Sequence, residues 1–132
     1  MYELKRKDLL YPELSFKIIG CAFSVHNEIG YGFKEIIYQK ALSHAFKEAS
    51  LSFQEQVQCE IKYKSELLGT RYLDFIVEGK IIIEIKRNDA YSKAHMDQTV
   101  EYLKATNQKL AILINFGSEG VRCKRLINPN AL

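Results

Sequence analysis

Two apolar runs, Tyr72–Val77 and Ile81–Ile85, flank Glu78, Gly79 and Lys80. β-branched and aromatic residues on both sides of a glycine predict a strand hairpin. Charge interrupts the runs at Asp74, Glu84 and Lys86. Side chains alternate faces along a strand, so Glu84 and Lys86 point one way while Ile83 and Ile85 point the other. If residues 78–80 form a three-residue loop, Val77 pairs with Ile81, and counting outward sets Asp74 opposite Glu84 and Tyr72 opposite Lys86. Directly paired residues share a face. A two-residue loop would separate the carboxylates. Gly79 can supply the left-handed residue of the three-residue form, so the expectation is two carboxylates and a lysine clustered on one face. Such charges in a strand fit for burial are costly without a partner or ligand, which marks a candidate site.

The rest of the chain supplies a frame. Residues 1–12 read as an irregular lead-in ending at Pro12. Helical spacing runs from Glu13 to about Ile29, with Phe16, Ile19 and Phe23 as one apolar set and Ile18, Ala22, Val25 and Ile29 as another. Gly30 and Gly32 stop it, and His26 near its end suits capping of carbonyls rather than catalysis. A second helix is expected from about Phe33 to Ala49, with apolar sets Phe33, Ile37, Ala41 and Ile36, Leu42, Ala45. Glu35 shares a stripe with Tyr38 and Leu42. It suits the positive end of the helix dipole, yet that stripe can also carry it inward.

Gln54–Tyr63 alternates as a half-exposed strand, and residues 65–69 read as a turn. A third helix over about Ala90–Ala105 sets Gln98 and Tyr102 four apart on one face. Lys109–Phe116 is apolar enough to be buried on both faces, and Val121–Ile127 reads as a short edge strand. The strand–helix–strand unit favours parallel pairing with a right-handed crossover, and the whole reads as a mixed α/β sheet flanked by helices.

At 132 residues the chain makes a single domain, 1–132, able to form a core without metal or disulfide staples. Three scattered cysteines, Cys21, Cys59 and Cys123, read as free thiols rather than a zinc or disulfide framework. No run reaches the roughly 18 apolar residues of a membrane span, and the charged N-terminal residues lack a signal-peptide core. A cytoplasmic address without membrane contact is expected. The net charge of +3 permits nucleic-acid binding without announcing it. Basic groups gather at Lys86–Arg87, Lys93, Lys104 and residues 122–125, each of which alone is as well explained by a solvated surface.

Two carboxylates at one strand edge offer hard oxygen donors for Mg²⁺ or Mn²⁺. Such an ion polarises a phosphoryl oxygen and activates water near neutral pH. Lys86 could orient that water or stabilise charge on the phosphate. Glu35, if inward, would add a carboxylate, and Gln98 and Tyr102 would offer hydrogen bonds. The bland alternative is a cross-strand salt bridge on an exposed sheet face. Strand context, the face match and Ile82 beside the charges favour the functional reading.

Asp74 and the Glu84-x-Lys86 pair on a hairpin followed by a helix resemble the PD-(D/E)XK nuclease superfamily. Gly32, Glu35 and Tyr38 match the Gly-x-x-Glu-x-x-Tyr signature of a small family within it. Gln98 and Tyr102 resemble the Gln-x-x-x-Tyr motif of its exonuclease branch. The similar stretches span nearly the whole chain. Leu73 stands where the superfamily name has proline. The resemblance implies a restriction-endonuclease-like αβββαβ core, metal held by Asp74 and Glu84 with Glu35, and Lys86 as catalytic partner.

Three readings follow. The first is a Mg²⁺-dependent nuclease acting on DNA in preference to RNA. The second is a non-catalytic nucleic-acid-binding or assembly module with the same fold. The third is a structural protein whose charges are salt bridges. A core this small leaves room for a partner chain or a homodimer. Base stacking would fall to Tyr2, Tyr11, Tyr31, Tyr63, Tyr72 or Tyr91.

Overall fold

The computed structural model describes residues 10–88 and 92–132. Helices α1 (Pro12–Ile29) and α2 (Glu35–Glu48) precede strands β1 (Phe53–Tyr63), β2 (Glu66–Val77) and β3 (Ile81–Lys86). Helix α3 (Lys93–Thr106), strands β4 (Leu110–Gly117) and β5 (Gly120–Ile127) and a short 3-10 turn follow. The five strands lie side by side in chain order. Only β3 and β4 are parallel, joined through α3, while their neighbours pair antiparallel. This is the mixed, helix-flanked sheet expected of an αβββαβ core.

The central strands carry the apolar runs because they are covered twice. Ile81, Ile83 and Ile85 with Ile112, Ile114 and Phe116 pack into a core with α1 and α2. Ile82 and Ala111 face a smaller core holding Cys59, Leu73, Tyr102 and Leu103. A strand buried on both faces has no polar register to keep, hence the unbroken run in β4. Helix α1 turns Ile18, Ala22 and Val25 inward and leaves Phe16 and Phe23 exposed. The second of its two apolar sets is therefore the core face.

The β2–β3 turn keeps the three-residue loop, with Val77 opposite Ile81. Both Glu78 and Gly79 adopt positive φ, 54° and 64°. Glu78 bears this conformation because Ser52 holds it three times, once through its hydroxyl, which donates to the Glu78 carboxylate at 3.0 Å. The Glu78 carboxylate accepts from the Ser52 N–H at 2.7 Å, and the Glu78 N–H donates to the Ser52 carbonyl at 2.8 Å. The β1–β2 turn differs from expectation. It uses only Lys64 and Ser65, both left-handed, so β2 already begins at Glu66. No glycine or asparagine marks that turn, which hid it within residues 65–69.

Helix α2 starts at Glu35, two residues later than predicted, and buries Tyr38, Gln39, Leu42, Ser43, Ala45 and Phe46. Ile36 and Ile37 are exposed. The inward stripe is more polar than hydrophobicity alone predicts, because Gln39 and Ser43 meet partners on β1. The expected start of α3 near Ala90, and Tyr2 and Tyr91, lie outside the described residues. His26 bonds a carbonyl as expected, though that of Gly117 on β4 at 2.9 Å, and it stacks on Phe116. All three cysteines are free.

Candidate metal and phosphodiester site

The β2–β3 ladder pairs Phe75 with Ile83 and goes no further. Immediately beyond, the Asp74 carboxylate accepts the Ile85 N–H at 2.8 Å. A side chain here takes a bond that sheets normally give to a carbonyl, and this fixes Asp74 beside β3. Glu84 lies against it. Glu84 is 5% exposed, and its Oε1 is buried with no hydrogen-bond partner among the described residues. Burial and the adjacent Asp74 charge push the Glu84 carboxyl up to about 9, and a side-chain hydrogen bond with Asp74 adds to the rise. The Lys86 ammonium and the Asp74 N–H pull the other way without prevailing. Near neutral pH Glu84 therefore keeps its proton, as burial beside a like charge favours.

Lys86 is half-buried at the end of β3, opposite Asn115 of β4. Asn115 is 1% exposed and grips Asn88 at both backbone groups. Its Oδ1 accepts the Asn88 N–H at 2.9 Å and its Nδ2 donates to the Asn88 carbonyl. The chain leaving Lys86 is thus clamped to β4. Tyr102 is buried in the smaller core with Leu73 and Ile82, and burial with the Glu84 and Asp74 charges raises its phenol to about 12. It is a neutral donor, not a base. Gln98, expected on the same face, is exposed.

Glu35 opens α2, where the helix dipole favours an acid, and it is exposed rather than inward. Its charge reaches His95, whose imidazole is pushed down by burial and by Lys86 and pulled up by Glu35. His95, in the first turn of α3 after the Ser92 cap, thus feels both groups, and its Nδ1 is buried without a partner among the described residues. Residue-type reasoning passed over it. The available signal was its seven-residue spacing from Tyr102, two helical turns along one stripe. Asn115 was equally hidden, since an amide in an apolar strand carries no motif.

Among the described residues, no three His, Cys, Asp or Glu side chains already converge on one point. The donors that do meet are Asp74 and Glu84, two hard oxygen ligands with one orphaned buried oxygen, and they fit a small divalent cation. The sequence profile of the PD-(D/E)XK nuclease superfamily matches residues 12–126. The chain belongs to the PD-(D/E)XK nuclease superfamily. Asp74 lies on β2, and Glu84 and Lys86 lie on β3. This PD-(D/E)XK protein also resembles a solved structure titled "Crystal structure of SSO0001", with a TM-score of 0.56 and 19% identity over 72% of its length. It spans half of that longer chain, so the likeness bears on fold alone. No curated protein matches it.

Proposed function

We propose that the protein is a divalent-metal-dependent nuclease that hydrolyses phosphodiester bonds, with DNA the preferred substrate over RNA. The observation that carries this is the Asp74–Glu84 pair, with Asp74 fixed on the Ile85 N–H and Glu84 buried against it with an unpartnered Oε1. Salt-bridge strands do not need this arrangement. In this reading Asp74 and Glu84 would hold Mg²⁺ or Mn²⁺, with exposed Glu35 reaching the ion from the solvent side, and the ion would supply Lewis-acid polarisation of the phosphate and an acidified water. Lys86 orients the attacking water and offsets charge on the phosphate. Tyr102, whose phenol feels the Glu84 and Asp74 charges, and exposed Gln98 would offer hydrogen bonds to the phosphate or the attacking water. The resemblance of Gly32, Glu35 and Tyr38 to the Gly-x-x-Glu-x-x-Tyr pattern supports a place for Glu35 in the same apparatus, while Tyr38 donates to the Gly30 carbonyl at 2.6 Å and anchors the turn before it.

The test is cleavage of labelled single- and double-stranded DNA and RNA with Mg²⁺ or Mn²⁺. Asp74→Ala should abolish metal binding and cleavage together. Lys86→Ala should lower kcat by about 100-fold or more while metal binding persists. Binding of nucleic acid without any cleavage would instead establish the non-catalytic module.

A further inference from the structure

Gln56 lies in the middle of β1 at φ 48°, a left-handed conformation that strands exclude and that non-glycine residues adopt only when the surroundings enforce it. The pairing of β1 with β2 runs Glu55–Phe75, then Val57–Leu73, and skips Gln56 and Asp74 between them. Both strands change faces at that step. Phe53 and Phe75 pack on the α1–α2 side, whereas Val57, Cys59 and Leu73 pack on the α3 side. Asp74 sits at the crossing, and Gln56 is the residue whose backbone permits it.

The Gln56 side chain runs the opposite way from the Val57–Cys59 face. Its Nε2 donates at 2.9 Å to Oε1 of Gln39, which is 9% exposed on α2. One turn further, Ser43 donates at 3.3 Å to Glu55. Glu35, Gln39 and Ser43 form a single four-residue stripe, so these two contacts register α2 against β1 and leave Glu35 as the next residue towards the Asp74 end.

We propose that Gln56 is a positioning residue whose contact with Gln39 sets the place of Glu35 relative to the Asp74–Glu84 pair. This rests on the nuclease reading, in which Glu35 joins those carboxylates on the metal. An amide pair that merely ties a helix to a sheet would affect stability and leave metal affinity alone.

Calorimetric Mn²⁺ titration separates the two. Gln56→Gly should fold with an unchanged or higher Tm, because glycine accepts positive φ, yet bind Mn²⁺ about tenfold more weakly. Gln39→Ala should show the same loss from the other side of the contact. Gln56→Glu, which can accept from a reoriented Gln39 amide, should retain affinity. In a Glu35→Gln background, Gln56→Gly should make no further difference. Wild-type affinity in Gln56→Gly, or an equal loss with and without Glu35, would overturn the inference while leaving the nuclease reading in place. Wild-type protein that binds no Mn²⁺ sensitive to Asp74→Ala would overturn the reading and the inference with it.

Discussion

Glu84 sets the pH behaviour of the metal-free protein. Its carboxyl titrates near 4.5 when unfolded and about 9 when folded, so the native state keeps a proton that the unfolded state releases between those values. Stability contributed by this group is full below pH 4.5 and lost as pH rises through about 9. The slope within that window is at most about 1.4 kcal/mol per pH unit. Metal-free protein should therefore melt at lower temperature at pH 8 than at pH 6. Glu84→Gln should flatten that trend and raise the Tm at pH 8, since an amide carries no charge to desolvate. Mn²⁺ should stabilise wild type more at pH 8, where fewer protons compete, and should not stabilise Glu84→Gln. A Tm that rises with pH equally in both proteins would contradict the burial-driven shift.

The strand end that carries Lys86 depends on Asn115, whose amide occupies both backbone groups of Asn88. Asn115→Ala opens a small space in β4 and returns those groups to solvent, at a cost of about 1–2 kcal/mol. Because Asn88 is exposed, water can replace the bonds, and the fold should survive. The lysine should not stay in place. We expect kcat for cleavage to fall about tenfold with little change in KM, read alongside a Tm lowered by a few degrees. The hairpin's turn and its pairing out to Phe75–Ile83 were legible from residues alone, because alternation and a glycine turn fix register locally. The expected Asp74–Glu84 and Tyr72–Lys86 pairs are not part of the ladder. Glu35 was not legible either. Its stripe mates Tyr38 and Leu42 are buried, but the helix begins at Glu35 itself, beyond the edge of the core. The face change at Gln56 and Asp74 also lay outside sequence reasoning, since nothing in a Gln-Glu-Gln run announces a left-handed residue.

Across the whole molecule the net charge of +3 is modest, so where the cations sit decides what they bind. The four-residue basic run near the end divides by strand parity. Arg125 turns to the α1 side, where it donates to the Leu10 carbonyl. Lys124 pairs with Leu113, which pairs in turn with Glu84, while Arg122 pairs with Asn115, the partner of Lys86. Cross-strand partners share a face, so Lys124 and Arg122 lie two strands from the carboxylates on the same side of the sheet. A phosphate backbone passing over the site would meet Lys86 and then this pair. With so few cations involved, binding of a noncleavable oligonucleotide should weaken with salt at a slope of about −2 to −3 in log K against log salt. Lys124→Ala should reduce the magnitude of that slope by about 1 and leave kcat unchanged at saturating substrate. Unaltered salt dependence in Lys124→Ala would send the nucleic acid across another face, since a phosphate contact on this one cannot be lost without releasing fewer counterions.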